Sequence, residues 1–151
     1  MDLNGIWGLF GFEDSQSKKE KQHLKELEEF KKTPEFKIGM FVKMISQGIS
    51  FKKQLIDFFS TADPKLDAQD MGEAGDFMMH NRAYYWISEC GTRKKDWKEA
   101  LNKKASKDFL FCLEVSMKYF EELEEFERCA HLKKIHNFIE KSLKRKENLI
   151  S

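Results

Sequence analysis

The sequence predicts an all-α fold: a single-domain bundle of about six or seven helices over residues 14–151, preceded by a flexible or docked apolar arm over residues 1–13. Three observations carry this. Apolar residues return at intervals of three and four along most of the chain, the spacing of one helix face. The only two prolines are Pro34 and Pro64, so the remaining 87 residues hold no helix-breaking ring. No stretch alternates apolar and polar residues on both sides of a tight turn, as a hairpin of strands needs. At 151 residues the chain is one domain's worth, and 40% apolar residues with 14 Phe exclude a disordered polymer. A balance of 27 basic against 26 acidic side chains gives a net charge of +1, so global charge selects neither a nucleic acid nor an acidic partner.

The elements follow in order. "DSQSKKEKQHLKELEEFKK" sets Leu24, Leu27 and Phe30 on a narrow stripe among charges, a helix over about residues 15–32. Thr33 is an N-cap, Pro34 takes the first helical position and Gly48 is the stop, giving a second helix over 34–47. Ser50 caps a third, in which Phe51, Leu55, Phe58 and Phe59 recur at helical intervals. "STADPKLDAQDMGEAGD" (60–76) holds five acids, one lysine, a proline and two glycines, so it is the candidate internal boundary, with its second half already helical. A helix over about 70–90 carries "FMMHNRAYYWISEC" and ends at Gly91, and Thr92 caps a shorter one through residue 105. Ser106 opens the final run, with Phe109, Leu113, Phe120 and Leu123 on one face and Leu132, Ile135, Ile139 and Leu143 on another.

Charge in the last third comes in blocks. Residues 91–107 carry seven bases and two acids, 108–127 one base and seven acids, and 128–148 again seven bases and two acids. The plain reading is an acidic helix packed between two basic neighbours, its exposed pairs setting register at about 1 kcal/mol each or less. The alternative is a nucleic-acid surface. There Arg93, Lys94, Lys95, Lys103 and Lys104 would track phosphates and Trp97 would stack a base, with the basic 128–148 segment beside them.

Within this third, residues 119–141 hold the pair Phe126 and Glu127, the small pair Cys129 and Ala130, then Leu132 with basic Lys133, and Ile135. This stretch resembles the UVR motif, a short helical hairpin of bacterial excision-repair proteins that also occurs in protease adaptors. It departs from that pattern at Cys129, where alanine is usual, and at Lys134, where an acid is preferred. The resemblance implies a hairpin that binds protein partners, with Phe126 and Lys133 among its contacts, and that does no chemistry.

The sequence singles out no reaction. It has no Gly-x-x-x-x-Gly-Lys loop, no nucleophile elbow and no dinucleotide fingerprint, so no cofactor is expected. His131 and His136 are five apart and share no helix face, and Cys90, Cys112 and Cys129 form no Cys-x-x-Cys pair, so no metal site is expected. The histidines read as polar helix-surface groups and Cys129 as buried packing. In "DAQDMGEAGD", Met71 and Met78 fall where a calcium loop needs oxygen ligands. Glu89 with His80 is an acid–base pair of the kind any helical protein offers. An odd set of unpaired cysteines, no secretory leader pattern and no apolar run of bilayer-spanning length point to the cytoplasm.

Two apolar features remain for binding. In "HNRAYYW" consecutive side chains point about 100° apart, so Tyr84, Tyr85 and Trp86 cannot all face one core, and Tyr84 and Tyr85 are candidates for an interface. The opening "NGIWGLFGFEDS" spaces three glycines among Trp7, Phe10 and Phe12, and each glycine costs a helix about 1 kcal/mol relative to alanine. Such an arm docks on its own bundle, on another chain or on a membrane surface, though it lacks the basic polar face of membrane anchors. The sequence therefore predicts a small, non-enzymatic helical binding protein, an adaptor, accessory subunit or inhibitor, acting by contact with another protein or with its own copies.

Overall fold

In a computed structural model, which describes residues 13–62, 65 and 67–150, these residues form six α-helices and no strand. They are α1 (Glu13–Lys31), α2 (Pro34–Ala62), α3 (Ala68–Ile87), α4 (Lys95–Lys104), α5 (Lys107–Glu122) and α6 (Phe126–Ile150). The all-α class holds. The arm, with Trp7, Phe10 and Phe12, lies outside the described residues.

Several ends are set by local chemistry. Thr33 closes α1 and opens α2 together: its hydroxyl donates to the Phe30 carbonyl at 2.7 Å and accepts from the Phe36 N–H at 3.3 Å. Asp67 caps α3 by accepting from the Gln69 N–H, and Ser106 caps α5 by accepting from the Phe109 N–H. The turn between α5 and α6 uses Glu124 at φ 59°, a left-handed position that usually falls to glycine.

Two predicted boundaries are corrected. Gly48 does not stop a helix and Ser50 does not start one, because α2 runs unbroken from Pro34 to Ala62. The glycine serves packing instead: a β-carbon there would overlap the Met79 thioether of α3. Likewise Thr92 is not the cap of α4, which begins at Lys95 after a turn, with Lys94 in the cap position and no side-chain capping bond.

α2 and α3 form a long antiparallel hairpin, tied by Lys37–Glu89 (2.6 Å) near one end and Lys52–Asp76 (2.8 Å) further along. α5 and α6 form a second antiparallel pair. The core lies where the first half of α2 (Ile38, Phe41, Ile45) and the last part of α3 (Ala83, Ile87) meet Trp97 and Leu101 of α4. Phe109, Leu113 and Phe120 of α5, with Leu132, Ile135 and Ile139 of α6, complete it. Burying each such large side chain contributes about 1.5–3 kcal/mol, so this cluster dominates the fold's stability.

α6, not acidic α5, is the element shared by the other two charged helices. It packs on α5 and also against basic α4, where the Ser142 hydroxyl donates to Asn102 at 2.8 Å. Among the described residues, Arg128–Glu125 and His136–Glu114 join the acidic segment to α6, and no ion pair joins it to α4. No helix among the described residues is long and apolar enough to cross a membrane.

Candidate functional site

The core occupies only one end of the α2–α3 hairpin. Beyond Ile45 on α2 and before His80 on α3, no large apolar side chain of the pair is fully buried, because there the two helices cover mainly each other, with only the Val115 edge of α5 beside them. Helical spacing still delivers apolar groups there, and they remain open: Phe51 is 59% exposed, Phe58 67% and Met78 57%. Between the helices runs a groove of about 290 Å³ lined by Met44, Phe51, Leu55, Met71, Met78 and Met79, with Arg82 also on its wall. Four of the chain's seven methionines stand in it. Methionine is unbranched and polarizable, so such a wall adapts its shape to whatever fills it. The Lys52–Asp76 pair borders the groove with its charges matched, whereas Arg82 has no carboxylate within 4.0 Å among the described residues.

Lys52 also lines a second cavity of about 310 Å³, with Ile49, Lys53, Asp57, Asp76 and His80 among its lining residues. His80 is no surface histidine. It is 4% exposed, stacked on the Tyr119 ring with centroids 4.1 Å apart, and its Nδ1 has no hydrogen-bond partner. Burial drives its pKa down to about 4, opposed by the Asp76 charge and aided by that of Lys52. Glu89 lies far from it in chemical terms: its carboxylate is engaged by Lys37, which holds it below the usual carboxylate range. The two do not form an acid–base pair.

The remaining predicted contact residues are dispersed. Tyr85 is 73% exposed beside Trp86, as the 100° argument requires of one ring in the triplet. Tyr84 is drawn inward: its hydroxyl bonds His131 Nδ1 at 3.0 Å while His131 Nε2 bonds the Cys90 carbonyl at 2.7 Å. A carbonyl only accepts, so Nε2 donates to Cys90, and in the neutral tautomer Nδ1 accepts from Tyr84. The Arg128 guanidinium lies over the Tyr84 ring at 4.7 Å and donates to Asn81 at 2.8 Å, which locks α6 to α3. His131 and half-buried His136, which bonds Glu114, are therefore engaged groups rather than free surface histidines. Phe126 and Lys133, seven positions apart, share an exposed face of α6. Cys129 is half-buried rather than buried.

Of the predicted nucleic-acid residues, Arg93, Lys94, Lys95, Lys103 and Lys104 are exposed, but Trp97 is not available to stack a base. It is 4% exposed and packs in the core with Ala100 and Leu101, its neighbours at three and four residues. That spacing was the signal for a core ring. Arg93 and Lys94 instead line a cleft of about 710 Å³ that they share with Lys134, Phe138 and Lys141 of α6.

Among the described residues, no three or more His, Cys, Asp or Glu side chains gather as a metal site would need. The chain matches no protein-family model, and no curated protein or solved structure matches it.

Proposed function

We propose that this chain is a small, non-enzymatic helical binding protein that works by contact with another protein, and that the α2–α3 groove receives an apolar helix of that partner. The observation that carries the reading is the outer half of the α2–α3 hairpin. It leaves Phe51, Phe58, Phe77 and Met78 more than half exposed among the described residues. Several large apolar side chains exposed on one half of a folded hairpin, two of them lining its groove, point to an interaction site. A flexible methionine wall suits a helix laid in a groove, and Arg82, which has no carboxylate partner among the described residues, suits a carboxylate on that helix's flank.

The thiols support a binding role over a catalytic one. Burial pushes Cys90 up to about 12, and it raises Cys112 and Cys129 as well, so none is an activated thiolate. The exposed α6 face with Phe126 and Lys133, and the aromatic arm, are the further contact elements of such an adaptor, accessory subunit or inhibitor.

The test replaces Phe51 and Met78 with serine. Both side chains are more than half exposed, so the melting temperature should stay within a few degrees of the parent. The mass of the complex formed in extract of the native cell should fall to that of the free chain, since such anchors are worth about 2 kcal/mol or more each. A complex that persists in the folded double variant removes the groove from the function. A purified parent that already has twice the chain's mass, lost in the variant, makes the partner a second copy.

A further inference from the structure

The two basic segments meet. The turn between α3 and α4 and one face of α6 form the walls of the 710 Å³ cleft, bringing Arg93 and Lys94 together with Lys134 and Lys141. No acidic side chain lines it. Among the described residues none of these four cations has a carboxylate within 4.0 Å, although Lys94 donates to the Glu89 carbonyl at 3.4 Å and Glu140 stands next to Lys141 in sequence, paired with Lys144 and His136. Lys94 lies across Gly91, where a β-carbon would crowd its side chain at 3.1 Å, so the absence of a side chain at Gly91 leaves room for this placement.

A cluster of cations in a concave wall without an acidic side chain focuses potential and concentrates anions. Three features narrow the ligand. The volume falls within the range of nucleotide-sized sites. The half-buried Phe138 provides an aromatic wall and Asn137 a two-way hydrogen-bonding amide beside the cations, the combination that reads a base next to its phosphate. Lys134 and Lys141 stand seven residues apart, about 10 Å along the helix, so the charges follow a chain of phosphates rather than clamp one group. A flat anionic membrane would touch a convex surface before it reached this recess.

We propose that this cleft binds the phosphate backbone of single-stranded nucleic acid, with a base against Phe138, as a function separate from the apolar groove. The geometry replaces Trp97, which is core, with Phe138.

The experiment is fluorescence anisotropy of a labelled short oligothymidine with the full chain, titrated from about 50 mM to 200 mM salt. Four cations on a single strand predict a slope of about −3 in log affinity against log salt. In the Lys134→Gln, Lys141→Gln variant, two fewer phosphate contacts should make that slope shallower by about 1.4. The control Lys18→Gln, Lys19→Gln on α1 should leave it unchanged. Both pairs are exposed, and circular dichroism confirms that each variant is folded. The proposal is overturned by no binding at about 50 mM salt, or by a slope that falls equally in the control. It is also overturned if polyglutamate displaces the strand as well as unlabelled oligothymidine does, or if a free mononucleotide competes at the same phosphate concentration.

Discussion

His80 shows how a single placement sets a solution property. In the unfolded chain its imidazole titrates near 6.5, whereas burial against Tyr119 and Phe120 holds the folded value at about 4. The unfolded state therefore binds the proton more readily in between. The stability that neutral His80 contributes is complete above pH 6.5 and is lost as pH falls from 6.5 toward 4, by up to about 3 kcal/mol. In His80→Phe, which keeps a ring against Tyr119, this loss should vanish. Urea unfolding at pH 7 and at about pH 4.5 should show the parent losing more stability than the variant, and equal losses would contradict the assignment. His80 was legible in the sequence through its company: Ala83, Tyr84 and Ile87 lie three, four and seven residues on, the same helix face. Trp97 carried the same kind of signal. At both positions helical spacing, not the residue type, decides the outcome: a titratable ring and an aromatic among lysines both go to the core.

At the scale of elements, Gly48 decides the geometry of the α2–α3 hairpin. Residue type alone makes it a stop signal. In the folded chain it is a helix-interior glycine that admits Met79, and only the neighbouring helix explains it. Gly48→Ala alone sets a helix-propensity gain of about 1 kcal/mol against displacement of Met79. In a Met79→Ala background the displacement is absent, so the same substitution should stabilise by about 1 kcal/mol, and the two effects should couple by 0.5 kcal/mol or more in denaturant unfolding. Strict additivity would mean that the two helices do not approach as described. The Thr33 and Ser106 caps and the close of α3 before Gly91 were legible because their chemistry is local. The turn at Glu124 was less so, since its left-handed residue is neither glycine nor asparagine.

For the whole molecule, the periodic stripes were legible but their coverage was not. Leu24, Leu27 and Phe30 of α1 and Phe51 and Phe58 of α2 have the spacing of core-facing residues, yet each stays at least 40% exposed because the other described helices cover them only in part. Local periodicity states which face is apolar. It does not state whether five packed helices extend far enough to cover it. The same holds for charge: the blocks were read directly from the sequence, while the direct meeting of the two basic ones across the cleft depends on α4 packing beside α6. We propose that a partner protein docks on the half of the α2–α3 hairpin that the other described helices leave largely exposed. Hydrogen–deuterium exchange of the chain alone and in its native complex tests it most directly. In the free chain, backbone amides over residues 48–62 and 68–79 should exchange faster than those of α5 and α6, which hold the core. In the complex these two segments should gain the largest protection. Protection confined to the Phe126 and Lys133 face of α6, with the outer hairpin exchanging as in the free chain, would contradict the account.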